Sequence, residues 1–173
     1  MTLRMIVASA TGAALASAAA AGTTTFNFPL GGDQENPPTM TDAFGTGSLT
    51  FDTGTGMFDI DIFVENLTLG ELLGVGPNST PIHIHNAPAG SNGGIVIDLG
   101  LFSSFLNDGA GIRFTASDIS IGAQEANLFG GLLYVNIHTT NFGGGEIRGQ
   151  IVPAPAAASL IGLGGLAAVR RRR

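Results

Sequence analysis

Polar and apolar residues alternate most cleanly in MFDIDIFVEN (57–66), where Phe58, Ile60, Ile62 and Val64 fall on one side and Asp59, Asp61 and Glu65 on the other. A period of two is that of a β-strand half-buried in a sheet. Phe63 breaks the outer polarity, which predicts that a loop covers it. GTGSLTFD (45–52) puts Leu49 and Phe51 on one face, and the TGTG that follows reads as a hairpin turn. TTTFNFPL (23–30), PIHIHNA (81–87), GGIVIDL (93–99), GIRFTA (111–116), LLYVNIHTT (132–140) and EIRGQIV (146–152) complete a series of short strands. One helix is predicted at SDISIGAQEANLFGG (117–131), capped by Ser117 or Asp118 and stopped by Gly130. Residues 31–44 and 66–80 are too rich in glycine and proline for further strand. The pattern predicts an all-β fold, a Greek-key β-sandwich or flattened barrel with one short helix.

The two ends follow different rules. MTLRMIVASATGAALASAAAAG (1–22) carries one charge, Arg4, then an apolar stretch, then small residues with an A-x-A pattern at Ala19 and Ala21. This predicts a helical secretory signal, removed by signal peptidase after Ala21 or Gly22; an uncleaved anchor is the other reading. At the other end Pro153 and Pro155 stop the preceding strand, since proline cannot donate to a ladder. The uncharged stretch Ala156–Val169 then runs for 14 residues into Arg170, Arg171, Arg172 and Arg173. A bilayer takes roughly 20 residues, so the stretch is short for a permanent span, and the arginines would hold its end on the cytoplasmic side. The segment resembles the PEP-CTERM class of sorting signals in a VPxP form, with Ala154 where the commonest form has Glu. That resemblance implies transient insertion in the inner membrane and cleavage by an exosortase-type protease; a plain C-terminal anchor is the alternative. Three regions follow: a signal (1–22), a β-domain (23–152) and a sorting segment (153–173).

Charge narrows the partners. Lysine is absent, and without its two ends the chain sets two arginines against thirteen acids, a net charge of about −11. Nucleic-acid binding needs a basic footprint, and none exists. The absence of cysteine excludes disulfides, thiolate metal sites and a cysteine nucleophile. No G-x-S-x-G elbow marks a serine nucleophile. Asp52 and the glycines after it form a turn rather than a calcium loop.

The chemistry lies on a polar stripe. Tyr134, Asn136 and His138 share one face of LLYVNIHTT, opposite Leu133, Val135 and Ile137. Glu146, Arg148 and Gln150 share one face of EIRGQIV, and NFGGG between the two strands is short enough for a hairpin. The simplest pairing sets Tyr134 by Gln150, Asn136 by Arg148 and His138 by Glu146. His83 and His85 leave one side of their strand with Cα atoms about 6.6 Å apart. If that strand adjoins, three imidazoles converge. Neutral imidazole suits copper or zinc, and an H-x-H pair with one distant histidine is a ligand pattern. Glu146 or Asp98 is then a candidate supporting partner, while the charge of Arg148 opposes a cation unless Glu146 or a bound anion compensates. The competing reading is a hydrogen-bonded network that orders residues 86–94.

QENPP (34–38), HIHNAPAGSNGGIVIDL (83–99) and LLYVNIHTTNFGGGEIRGQI (132–151) together closely resemble the CHRD domain, the module repeated in chordin and common in bacterial exported proteins. The resemblance implies an immunoglobulin-like or superoxide-dismutase-like sandwich outside the cytoplasm, with no established catalytic activity. A dinuclear site like that of copper–zinc superoxide dismutase is excluded, because the chain has only three histidines. The expected function is a non-enzymatic binding or structural module at the cell surface or in the extracellular matrix, with a protein or polysaccharide partner. The alternative is an extracellular copper- or zinc-binding protein using His83, His85 and His138.

Overall fold

The computed structural model describes residues 22–74, 76, 79–101 and 104–153. The signal segment up to Ala21 and the sorting segment from Ala154 onward, with Pro155 and Arg170 to Arg173, lie outside the described residues. Among those described, no helix is long and apolar enough to cross a membrane.

The described residues form nine strands in chain order: β1 (Thr23–Gly31), β2 (Phe44–Asp52), β3 (Met57–Glu65), β4 (Ile82–Asn86), β5 (Gly94–Gly100), β6 (Phe105–Asp108), β7 (Gly111–Ser120), β8 (Leu133–Ile137) and β9 (Ile147–Ile151). They form one sheet in the order β5-β4-β8-β9-β1-β2-β3-β7-β6, antiparallel at each pairing. The chain crosses between the halves of the sheet at the β3–β4, β5–β6 and β7–β8 connections, so sequence neighbours there are not sheet neighbours. The all-β sandwich class predicted from alternation is what the chain adopts.

The sheet curls because its apolar face must be buried on itself. Phe26, Phe28 and Leu30 of β1, Leu49 and Phe51 of β2, and Phe58, Ile60, Ile62 and Val64 of β3 join one buried cluster. Ile82 and Ile84 of β4, Leu133, Val135 and Ile137 of β8, and Ile147 and Ile151 of β9 belong to the same cluster. Each such side chain contributes roughly 1.5–3 kcal/mol by leaving water. The halves meet where β9 crosses β1, a seam with a single ladder pair, Gly31 with Arg148. Gly149 permits that approach: a Cβ there would stand 2.8 Å from Leu30 Cγ and Phe28 Cδ2, and 2.9 Å from the Pro29 carbonyl.

The outer faces of the halves differ. On β3 and β7 the outer side is solvated, with Arg113 paired to Asp61 at 2.8 Å and to Asp108 at 2.6 Å. Phe63 is half-buried under the Arg113 guanidinium, 5.5 Å from its ring centre, so a side chain rather than a loop covers it. In β8 and β9 every residue is buried, because loops lie over the outer face. Strands enclosed on both sides normally read as continuous apolar runs. Here polar side chains fill the second layer.

The predicted helix at 117–131 is corrected. Strand β7 continues to Ser120, and the α-helix α1 covers only Glu125–Phe129, behind a 3-10 turn at Gly122–Gln124. Strand β3 supplies the ladder that wins: Met57 pairs with Ser120 and Phe58 with Ile119, across a bulge at Ser117 and Asp118. Asp118 takes φ 55° there, and its N–H donates to Asp59 Oδ1. The residue pattern of FLND does not predict β6, which forms as a hairpin on β7.

Ile62 has no exposed surface and Asp61 is on the open face. Ile62→Ala should lower the unfolding free energy by about 2–5 kcal/mol. Asp61→Ala should change it by no more than about 1 kcal/mol. Denaturant titration of the two variants measures the contrast.

Candidate metal centre and the loop-fastening network

Register sets the site. Across β4 and β8, His83 pairs with Asn136 and His85 with Tyr134; across β8 and β9, Asn136 pairs with Arg148 and Tyr134 with Gln150. The polar side chains therefore form two rows over three strands, on the side away from the apolar cluster. His138 stands just beyond β8, where its N–H donates to the Pro81 carbonyl at 2.8 Å. The three imidazoles converge, with ring centres 5.0 Å apart for His83–His138 and 5.8 Å for the other two pairs. One ligand nitrogen from each ring lies within 4.8 Å of the others.

Each ring has one nitrogen engaged and one buried nitrogen without a partner. His85 Nδ1 bonds the Gly93 carbonyl at 3.0 Å and His138 Nδ1 bonds the Gly143 carbonyl at 3.1 Å. A carbonyl only accepts, so both rings carry their proton on Nδ1 and keep a lone pair on Nε2. His83 Nε2 faces Thr80 Oγ1 at 3.4 Å. The nitrogens without partners are His83 Nδ1, His85 Nε2 and His138 Nε2. Burial pulls all three pKa values below the usual histidine range. Asp98 opposes this at His83, and the bonds to Gly93 and Gly143 oppose it at the others. Mutual repulsion adds to the lowering at His83 and His138, and the Arg148 charge adds to it at His85. The rings are neutral at pH 7, as ligand imidazoles must be.

Beside them Arg148 is 1% exposed, and its two terminal nitrogens make three hydrogen bonds. Nη1 donates to the Ser91 carbonyl at 2.7 Å; Nη2 donates to the Pro88 carbonyl at 3.1 Å and to Gln150 Oε1 at 2.6 Å. Its Cζ lies 3.5 Å from the centre of the Tyr134 ring, and Tyr134 in turn stacks on His85. Gln150 Nε2 is shared among the Ala87, Gly131 and Leu133 carbonyls, while its N–H donates to Gln34 Oε1. Tyr134 Oη accepts from Gly93 N–H, and Asn92 Nδ2 donates to the Asn36 carbonyl. These bonds bind residues 34–36 and 86–94 to the outer face of β8 and β9.

Asn136 Nδ2 reaches the Gly144 carbonyl at 3.4 Å. Glu146, expected beside His138, turns elsewhere: its carboxylate accepts from Thr41 at 2.5 Å and Thr139 at 2.5 Å, and its carbonyl accepts from Thr39. It fastens the 39–41 segment and makes no hydrogen bond to an imidazole. Asp98 pairs with His83 across β4 and β5 but stays exposed.

Sequence reasoning missed Glu35. It is buried, its Oε1 has no partner, and burial raises its pKa to about 7 against the lowering by Arg148. It lines a cleft of about 400 Å³ with Gln34, Asn36, Arg148 and Gln150. Its signal is the QENPP stretch, which carries part of the family resemblance but names no role for the glutamate. Gly93 and Gly143 were missed because they act through carbonyls, which every residue has.

Fold and site define a class: an all-β module whose polar sheet face is roofed by fastened loops and holds three facing imidazoles. The chain belongs to the CHRD domain family, whose description matches residues 26–151. Comparison with curated proteins gives no match, and comparison with solved structures gives none.

An ammonium cannot reproduce the planar fork of Arg148. Arg148→Lys should cost about 1–3 kcal/mol for each buried acceptor left without a donor. Hydrogen exchange should quicken in 86–94 and not in β3. Glu35 gives a prediction with a definite sign. Below pH 4.5 its carboxyl is protonated folded or unfolded; from there to about 7 only the unfolded chain ionises, so stability falls as pH rises through that window. Glu35→Gln removes this loss. Its melting temperature should gain on the wild type between pH 4.5 and about 7 and hold the margin above; a difference independent of pH would refute the assignment.

Proposed function

We propose that this CHRD-domain protein is exported and acts at the cell surface or in the extracellular matrix as a non-enzymatic binding or structural module. The observation that carries the reading is the fastening of 34–36 and 86–94 by Arg148 and Gln150. Loops held in one conformation lose little entropy when they meet a partner, which favours recognition. The net charge of about −11 between the two ends makes nucleic acid an unsuitable partner and leaves an extracellular protein or polysaccharide. The signal-like 1–22 and the sorting-like 153–173 support export through signal peptidase, transient insertion of the second segment in the inner membrane, and release by an exosortase-type protease. The alternative, an extracellular copper- or zinc-binding protein, draws on a different observation, the three facing imidazole nitrogens.

Cell fractionation with intact-mass measurement tests the export reading. The expected mature species begins at Gly22 or Thr23 and ends near Val152, outside the cytoplasm. A species confined to the cytoplasm with both termini intact would overturn export, and an exported species still ending at Arg173 would overturn sorting cleavage.

A further inference from the structure

We propose that His83 Nδ1, His85 Nε2 and His138 Nε2 bind one zinc or copper ion, leaving a fourth position open for water or an anion. The proposal needs no assumption about export, since it stands on the geometry alone.

Three features point to an ion rather than to a polar cluster. Each ring has one buried nitrogen without a partner, and one ligand nitrogen of each ring lies within 4.8 Å of the others. A purely structural network would join the rings by N–H···N bonds, and none joins them here. Buried imidazole nitrogens left without partners cost about 1–3 kcal/mol each, a cost that a shared cation removes. The tautomers are also set from outside. Gly93 and Gly143 hold the Nδ1 protons of His85 and His138, as second partners of ligand histidines commonly do. Gly93 is itself held by its N–H bond to Tyr134.

Donor chemistry selects the ion. Neutral imidazoles without thiolate or carboxylate suit zinc and copper and disfavour calcium and magnesium, which take oxygen. Metal–nitrogen bonds of about 2.0–2.1 Å hold tetrahedral ligands roughly 3.4 Å apart, so nitrogens within 4.8 Å must close by up to about 1.4 Å. His83 is the ring free to do so: it is half-buried, and its contact to Thr80 is long at 3.4 Å. It is also the way in, since His85 and His138 are buried. With neutral ligands and the Arg148 charge acting on His85, the ion keeps its positive charge. That favours an anion in the open position, with exposed Asp98 beside His83 as the nearest compensating carboxylate on the ladder.

The experiment uses untagged full-length protein stripped with a chelator and then titrated with zinc sulfate or copper(II) sulfate. Bound metal after desalting and the melting temperature are both read. The expected result is one equivalent of zinc or copper and a higher melting temperature for the wild type. His83→Gln should unfold near the metal-free wild type yet bind at least about tenfold more weakly and gain no such rise. Arg113→Gln, on the opposite face, should bind as the wild type does. Failure of both ions to bind stoichiometrically, or unchanged binding by His83→Gln, overturns the proposal. If His83→Gln does not fold, X-ray absorption of the metal-loaded wild type decides. Three imidazole nitrogens around the ion support the site, and a shell of oxygens overturns it. Because the chain has three histidines, any histidine ligation found must come from this cluster.

Discussion

The buried guanidinium of Arg148 is the constraint around which the second layer of this domain is arranged. Such a group leaves water only if its N–H donors find acceptors, and no carboxylate bonds to it here. The acceptors are two loop carbonyls and the Gln150 amide, with the Tyr134 ring beneath. The 86–94 connection must therefore stay on the sheet for Arg148 to stay satisfied. Gln150 repeats the arrangement one row away, and Gln34 extends it to the chain leaving β1. Removing any one of these partners leaves another buried polar group unpaired, which gives the network its cooperativity.

The histidine cluster inherits its order from that arrangement. Gly93 belongs to the segment that Arg148 holds, and its carbonyl fixes the His85 tautomer. Tyr134 joins the two systems, stacked on His85 and lying under Arg148. Arg148 thus has two opposed effects on a cation: its charge repels it, while its hydrogen bonds hold a loop that aims a ligand. Glu35, with its pKa raised to about 7, does not form a carboxylate bond that would cancel the guanidinium charge. The position open for an anion follows from this balance.

The other half of the sheet works differently. Its outer side faces solvent, and its ion pairs at Arg113 are exposed and individually weak. Its contribution is the apolar layer, against which β4, β8 and β9 are pressed. One sheet therefore carries a solvated face, an apolar core and a roofed polar layer. The stretches QENPP, HIHNAPAGSNGGIVIDL and LLYVNIHTTNFGGGEIRGQI concentrate on the last of these.

Much of this was legible in the residue order. Alternation assigned the faces of β3, β4, β8 and β9, paired Asn136 with Arg148 and Tyr134 with Gln150, and brought His83, His85 and His138 to one side. That was possible because a strand's period of two is local, and a slip of one residue would expose the apolar face. Tertiary structure decided the rest. Whether 117–120 became helix or strand depended on β3, which is distant in the chain, and the same strand supplied Asp59 to hold the bulge. Glu146 turned to Thr41 rather than to His138 because the segment after β1 folds back over β9. Two of the three partners of Arg148 lie 57 and 60 residues away, and both are backbone carbonyls. A carbonyl leaves no mark in the sequence, since all residues carry one; only the folded chain selects which of them an arginine or a histidine will meet.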